Sequence, residues 1–216
     1  MGEKFHEELN GLKDFVLEQG AFAHGMLSDS MIALQNQNPG LAARVYEQRR
    51  ELADRSQAIE ETALRLIALY QPVARDLRSI VCALRMNYAL YRIGRYGKDI
   101  AQLLDGLSTS PHVGDLMSLP HMGDLVSAMI ADALDAYRTE TVGPVVDMSR
   151  RDDVVDKLRY TIFREGLTHM MEDPQTITRC IDYVMIARYL ERCADHACDI
   201  AEQVCYMVTG ERVEVK

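Results

Sequence analysis

The stretch VYEQRRELADRSQAIEETALRLIALYQP, residues 45–72, decides the fold of this chain. It contains no glycine, and apolar residues recur in it every seven positions, at Val45, Leu52, Ile59 and Leu66. A seven-residue apolar repeat is typical of a helix that packs against antiparallel neighbours in a bundle. The pattern therefore predicts one long helix, which starts at the breaker Asn38-Pro39-Gly40 and ends near Gln71-Pro72.

Helical patterns also flank this stretch. Upstream, apolar residues at helical spacing run from Phe5 to Leu34, and downstream a third helix is predicted from residue 72 to about Leu107. The composition then changes to that of a turn in Ser-Thr-Ser-Pro, residues 108–111. We interpret this turn as a domain boundary.

The second half of the chain repeats this organisation. A fourth helix is predicted from Leu119 to Tyr137, and after a break near Gly143-Pro144 a fifth helix again has apolar residues every seven positions, at Met148, Val155 and Ile162. Asp173 followed by Pro174 is typical of a helix start, and the sixth predicted helix runs to Gly210. We find no strand pattern in the sequence.

The two halves also match each other position by position. The seven-residue repeat at Val45, Leu52 and Ile59 recurs 103 positions later, and Asp99-Ile100-Ala101 recurs 100 positions later as Asp199-Ile200-Ala201. Self-similarity of this kind indicates an internal duplication. We therefore predict an all-α fold of two tandem antiparallel three-helix bundles related by a pseudo-twofold axis. One bundle is expected in residues 1–110 and the other in residues 111–216.

The composition is that of an ordinary soluble globular protein. Of the 216 residues 48% are hydrophobic and 26% are charged, and the formal net charge is −9. Such an acidic balance gives no basic footprint for nucleic acid or for an anionic membrane surface. The five cysteines lie in apolar helical patterns and are expected to be reduced core residues. Because no leader or membrane-spanning segment is evident, we expect a cytoplasmic protein that meets the membrane only through a partner.

The last predicted helix carries a stripe of acidic residues. In LERCADHACDIAEQV, residues 190–204, the acids fall on one narrow side of a helix, at Glu191, Asp195, Asp199 and Glu202. Acids four residues apart destabilise an isolated helix by about 0.2–0.5 kcal/mol per pair, so a positive partner is expected nearby. The fifth predicted helix supplies a second set, Asp152, Asp153 and Asp156. If the two helices pack antiparallel, both sets could face one groove.

Two kinds of positive partner suit these acids. Carboxylate oxygens bind hard or borderline cations such as Mg²⁺, Mn²⁺, Ca²⁺ or iron, whereas zinc in a thiolate cage is a poor match. Alternatively, the acids form a solvated helix face that pairs with neighbouring basic residues, which are Arg150, Arg151, Lys157, Arg188 and Arg192. His196 lies beside the acids and is expected to make an ordinary hydrogen bond. The spacing alone leaves both interpretations open.

Several segments resemble the two repeats of the PhoU family of phosphate-uptake regulators. In the first half these are QPVARDLRSI (71–80) and L-x-R-I-G-x-x-x-x-D-I-A (90–101). In the second half they are D-D-V-V-D-K-L-x-x-x-I-F-R-E (152–165), DPQTI (173–177) and IARYLERCADHACDIAEQVCYMVTGE (186–211). The resemblance extends over essentially the whole chain.

The resemblance implies a cytoplasmic, non-catalytic regulator that restrains the phosphate-specific ABC transporter when phosphate is sufficient. Its expected partners are the ATPase subunit of the transporter, a sensor kinase and a second copy of the chain in a homodimer. Members of the family can carry metal ions on E-or-D-x-x-x-D motifs, which Glu191 with Asp195 and Asp152 with Asp156 match. The identity of the ion, whether iron, manganese, magnesium, calcium or zinc, is left open.

The first half departs from this metal motif. Tyr91 and Arg95 stand where the second half has Glu191 and Asp195, and Arg49 and Ala53 stand where it has Asp152 and Asp156. Arginine repels a cation at close range. We therefore expect at most one metal centre, in the second half, with Asp153 and Asp199 available as outer ligands.

Two other functions compete with the regulator. A di-metal carboxylate enzyme in a helical bundle uses Glu-x-x-His on each of two helices, which this sequence does not provide, and Glu165 and His169 are four positions apart. A purely structural protein that dimerises through an apolar surface is the third hypothesis. No nucleophile paired with a base and no glycine-rich phosphate loop is evident in the sequence, so we do not expect an enzyme.

Overall fold

The computed structural model describes residues 2–215, in which helices account for nearly all of the regular structure. The long helices are α1 (Gly2–Gln35), α2 (Pro39–Glu47), α3 (Arg49–Tyr70), α4 (Ala74–Leu107), α5 (Leu119–Thr139), α6 (Met148–Glu172) and α7 (Ile177–Thr209). Short 3₁₀ turns precede α5, α6 and α7, at Gly114–Leu116, Gly143–Val145 and Pro174–Thr176. No strand occurs within residues 2–215, so the predicted all-α class is confirmed.

The seven-residue repeats form the centre of the core. Val45, Leu52, Ile59 and Leu66 have no exposed surface, and the same is true of Met148, Val155 and Ile162 in the second half. Each helix turns its repeat toward its neighbours, and burial of one leucine-sized side chain contributes about 1.5–3 kcal/mol to folding. The repeat therefore identified the inward faces of both halves correctly.

The predicted single helix over residues 39–71 is interrupted at Gln48, which separates α2 from α3. The Arg49 guanidinium donates a hydrogen bond of 2.9 Å to the Tyr46 carbonyl oxygen, which an uninterrupted helix would offer to the amide of residue 50. Gln48 keeps angles in the right-handed helical region (φ −63°, ψ −12°), and α3 begins at the next residue, Arg49. The apolar repeat consequently continues across the interruption.

The helix ends follow the predicted signals. The Asn38 carboxamide oxygen accepts a hydrogen bond of 3.0 Å from the Leu41 amide, which caps α2. The Asp173 carboxylate accepts one of 2.9 Å from the Gln175 amide, and after one 3₁₀ turn α7 begins at Ile177. Gly210 ends α7 in the left-handed conformation (φ 78°) that a residue without a Cβ adopts readily.

Helices of the two halves pack together as well as within each half. α1 contacts α3, α4 and α5, while α7 contacts α4, α5 and α6. The buried apolar residues of both halves form one continuous core, which includes the buried cysteines Cys82, Cys180, Cys193 and Cys198. The α4–α7 contact therefore joins the halves, and the division into residues 1–110 and 111–216 stays a prediction.

Candidate functional site

The acidic stripe of α7 runs from the half-buried surface into solvent. The Glu191 and Asp195 side chains are 14% and 17% exposed, whereas the Asp199 side chain is 61% exposed. At the far end, a Glu202 carboxylate oxygen accepts a hydrogen bond of 2.9 Å from the Val215 amide in the C-terminal segment. The acids therefore share a helix face, as predicted, but lie in unlike surroundings.

The acids of α6 also differ from one another in solvent exposure. Asp152 is buried, with 6% of its surface exposed, whereas Asp153 and Asp156 are exposed. α6 packs against α7, as the prediction of a shared groove required. The four predicted metal ligands, Asp152, Asp156, Glu191 and Asp195, thus lie on two helices that contact each other.

Arginines lie beside the acids of α7. Arg159 of α6 and Arg192 of α7 approach the two Glu191 carboxylate oxygens, with Nε–O distances of 3.8 Å and 3.9 Å. Arg192 also donates a hydrogen bond of 3.1 Å to Asp195. Pairing with Arg192 was one of the two alternatives in the sequence, whereas Arg159 was missed. Arg159 lies three positions after Asp156 and seven after Asp152, which places it on the same face of α6 as these acids. This spacing was the signal in the sequence from which Arg159 could have been identified.

The arginines bear directly on a metal at this position. Within residues 2–215, no three histidine, cysteine, aspartate or glutamate side chains converge in a way that could hold a metal ion. One Glu191 carboxylate oxygen and the Arg159 Nε atom are buried without a hydrogen-bond partner. A cation bound to Glu191 Oε1 between α6 and α7 would have to displace the Arg159 guanidinium, whose Nε atom lies 3.8 Å from that oxygen. The side chains as arranged do not fit a metal ion, and the metal centre stays a prediction.

The corresponding positions in the first half hold arginine–tyrosine pairs. Arg95 donates a hydrogen bond of 3.1 Å to the Tyr91 hydroxyl, and the Arg49 guanidinium lies 4.1 Å from the centre of the Tyr46 ring. Arginine over an aromatic face is a favourable cation–π arrangement. The first half therefore holds arginines that contact tyrosines where the second half holds acids, and Arg49 is also paired with Glu47 at 3.3 Å.

A second feature, a groove of about 580 Å³, lies where α4 meets α7. Its walls include Tyr88, Arg92 and Tyr96 from α4 and Arg192, Asp195, His196 and Asp199 from α7. This groove was not predicted from the sequence. The available signal was the duplication, because Arg92 and Arg192, Tyr96 and His196, and Asp99 and Asp199 are all 100 positions apart.

Aromatic rings form the floor of this α4–α7 groove. The Tyr96 ring stacks on His196 of α7 at 6.1 Å and on Tyr189 at 5.7 Å. Arg92 donates a hydrogen bond of 2.7 Å to the Tyr96 hydroxyl, and this bond raises the pKa of Arg92. His196 Nδ1 lies 3.1 Å from an Asp199 carboxylate oxygen, which is the ordinary hydrogen bond expected for it. The groove is therefore polar, mixed in charge and built from both halves.

Both halves of the chain match one known protein family. The family model described as the PhoU domain matches residues 16–104 and again residues 119–204. The chain belongs to the PhoU family. The two matches confirm the resemblance found in the sequence, and one falls in each half of the chain.

Individual PhoU proteins agree over nearly the full length. The chain is 35% identical to the phosphate-specific transport system accessory protein PhoU homolog of Zymomonas mobilis, over 97% of this chain and 88% of that protein. The crystal structure of PhoU from Pseudomonas aeruginosa superposes with a TM-score of 0.91 at 32% identity, covering 96% of this chain and 100% of that one.

A second PhoU structure gives the same result. The phosphate transport system regulatory protein PhoU from Streptococcus pneumoniae superposes with a TM-score of 0.88 at 28% identity, covering 97% of this chain and 99% of that one. The PhoU-like helical fold is thereby confirmed. No helix within residues 2–215 is both long enough and apolar enough to cross a membrane.

Proposed function

We propose that this chain is a cytoplasmic regulator of phosphate uptake, which restrains a phosphate-specific ABC transporter through protein–protein contacts. The observation that carries the proposal is the similarity to PhoU accessory proteins over both repeats and nearly the full length. Its partners are the ATPase subunit of the transporter, a sensor kinase and a second copy of the chain. Direct contact with the ATPase subunit is the mechanism of restraint.

An apolar surface on the second half supports a function in protein contacts. It consists of α6 residues Phe163, Leu167 and Met171 and α7 residues Ile177 and Ile181, whose exposed fractions range from 42% to 85%. The α6 residues follow one another at helical spacing, and the short turn between the helices brings the start of α7 beside them. A contiguous exposed apolar patch is a common feature of interaction sites.

The arrangement of the acids supports a regulator rather than a carboxylate enzyme. Glu191 and Asp195 face arginine nitrogens, as in an ion-pair network on a helix surface. A metal at Asp152, Asp156, Glu191 and Asp195 is therefore proposed only as a regulatory addition, in which a cation takes the place of Arg159. Carboxylate ligands of this kind suit hard or borderline cations, and the candidates are iron, manganese, magnesium, calcium and zinc.

The proposal is tested by recovery of the transporter with a tagged chain. We expect the ATPase subunit to co-purify from cells grown with ample phosphate, and Leu167→Asp combined with Ile181→Asp to reduce its recovery. Val146→Asp is the matched control, because Val146 is 80% exposed but lies outside this surface, before α6. Failure of the unmodified chain to recover the ATPase subunit would count against the regulator.

A further inference from the structure

The α4–α7 groove brings together two arginines that occupy the same position of the duplicated unit. Arg92 and Arg192 are 100 positions apart in the chain, lie on different helices and line the same cavity. Arginine presents five N–H donors in a planar fork that matches the oxygens of carboxylate and phosphate groups. Two such forks on opposite walls are an arrangement by which proteins hold an oxyanion.

Arg92 is held at the groove wall and has guanidinium N–H donors available for a ligand. Its guanidinium carbon lies 4.9 Å from the centre of the Tyr96 ring, and one terminal nitrogen donates to the Tyr96 hydroxyl at 2.7 Å. This contact fixes the side chain on the groove wall, where Arg92 is half-buried. A single phenolic oxygen has too few lone pairs to accept all five N–H groups, so donors remain for an anion.

The acids of the groove are engaged by their own partners. Asp195 accepts a hydrogen bond from Arg192, and Asp199 lies 3.1 Å from His196 Nδ1. The two arginines and the two aspartates that line the groove carry formal charges that balance, and Glu191 lies 3.9 Å from Arg192 just outside this lining. An anion would therefore be held by the arginine donors that remain, although Glu191 and the net charge of −9 on the whole chain keep its affinity modest.

The mouth of the groove adds an aromatic surface. Tyr88 is 63% exposed, and its ring stands edge-on to His196 at 6.3 Å. The volume of about 580 Å³ accommodates either a hydrated phosphate ion or a nucleotide whose base stacks on an exposed ring.

We propose that the α4–α7 groove binds a phosphoryl oxyanion between Arg92 and Arg192, either as free inorganic phosphate or as the phosphate of a nucleotide. The choice of phosphate among oxyanions rests on the proposed function in phosphate uptake, whereas the presence of an oxyanion site rests on the two arginines. Because the groove lies where α4 meets α7, phosphate bound there would make the packing of the two halves depend on the phosphate concentration. The protein would then sense the ion whose import it restrains.

Calorimetric titration of the full-length protein with inorganic phosphate, ATP and sulfate tests this proposal. We expect phosphate or ATP to bind with a dissociation constant of about 1 mM or lower. Arg92→Gln should weaken that binding by about tenfold, the value of one charge-assisted hydrogen bond. Arg95→Gln is the matched control, because Arg95 also lies on α4 and donates to a tyrosine hydroxyl, that of Tyr91, but is outside the groove.

Binding of ATP without binding of free phosphate would identify a nucleotide as the source and support the site. The proposal is overturned if neither ligand binds the unmodified protein, if sulfate binds as tightly as phosphate, or if Arg92→Gln binds like Arg95→Gln. If Arg92→Gln does not fold, Arg92→Lys takes its place. The lysine keeps the charge but loses the planar fork, so this variant should also bind phosphate or ATP more weakly than the unmodified protein. No transporter is present in the titration. A failure to detect ligand binding would therefore leave the co-purification of the ATPase subunit, and with it the proposed function, unaffected.

Discussion

Gly97 of α4 lies directly against the backbone of Leu27 in α1. A Cβ added at position 97 would come within 2.8 Å of the Leu27 amide nitrogen and of the Met26 carbonyl carbon. Both are main-chain atoms of a packed helix, so no side-chain rotation relieves the contact. The absence of a side chain at Gly97 therefore determines how closely α1 and α4 approach.

Gly97→Ala should accordingly destabilise the protein, although alanine is the better helix former. We expect a loss of about 1–3 kcal/mol in the free energy of unfolding, the usual cost of overpacking, measured by urea denaturation. Gly106→Ala in the same helix is the control, because nothing lies within 4 Å of its added Cβ. That variant should gain about 0.5–1 kcal/mol. Equal stabilities of the two variants would show that α1 and α4 can separate without penalty.

The metal prediction is tested by elemental analysis of protein purified without chelator. If a cation binds among Asp152, Asp156, Glu191 and Asp195, the doubly substituted Glu191→Ala, Asp195→Ala protein should lose it. Asp14→Ala, Asp54→Ala provides a control with the same loss of charge elsewhere on the surface. If the native protein carries no stoichiometric metal, the prediction of a metal centre is wrong. The proposed regulation through protein–protein contacts is unaffected by that result.

Arg159 offers an independent test of the same carboxylates. Its Nε atom lies 3.8 Å from Glu191, whose side chain is only 14% exposed. Arg159→Ala removes a positive charge from beside a largely buried carboxylate, so we expect stability to fall by about 1 kcal/mol in chelator-treated protein. Added Mn²⁺ should then restore stability, because a cation can occupy the vacated space.

The exposed Arg164 of the same helix supplies the matched substitution, Arg164→Ala. It should change neither the thermal midpoint nor the response to Mn²⁺. If both alanine variants respond alike to the ion, Glu191 does not take part in a metal site.

His24 should make stability depend on pH. Its Nε2 atom lies 2.7 Å from the Ser127 hydroxyl oxygen between α1 and α5, and burial lowers the pKa of His24 below the ordinary value of 6.5. The unfolded chain therefore binds a proton more readily than the folded one. The resulting contribution to stability is present above pH 6.5 and is lost as the pH falls toward the lower folded-state pKa.

Thermal unfolding midpoints measured from about pH 7.5 to about pH 5 check this dependence. His24→Gln should flatten the decline on the acid side, whereas the exposed His121→Gln should leave it unchanged. A decline of the same size in both variants would assign the pH dependence to other groups.

The helical core could be predicted from spacing alone, whereas the site could be predicted only in part. Leu52 and Val155 each belong to a seven-residue repeat because they face neighbouring helices, and local periodicity records that fact. The interruption at Gln48, next to which Arg49 donates to the Tyr46 carbonyl, leaves the seven-residue period intact, so periodicity does not reveal it. Arg159 beside Glu191 depends on the register of α6 against α7, which no single-helix pattern determines.

The stacked rings of Tyr96 and His196 place the two repeats back to back at positions that correspond to each other. In a symmetric pair of identical repeats, such a contact would join a residue to its own copy in the other molecule, so any substitution there would change both sides at once. Covalent linkage of the repeats released that restriction. A phenol on one side and an imidazole on the other is a combination that two linked repeats allow and a symmetric homodimer of one repeat does not.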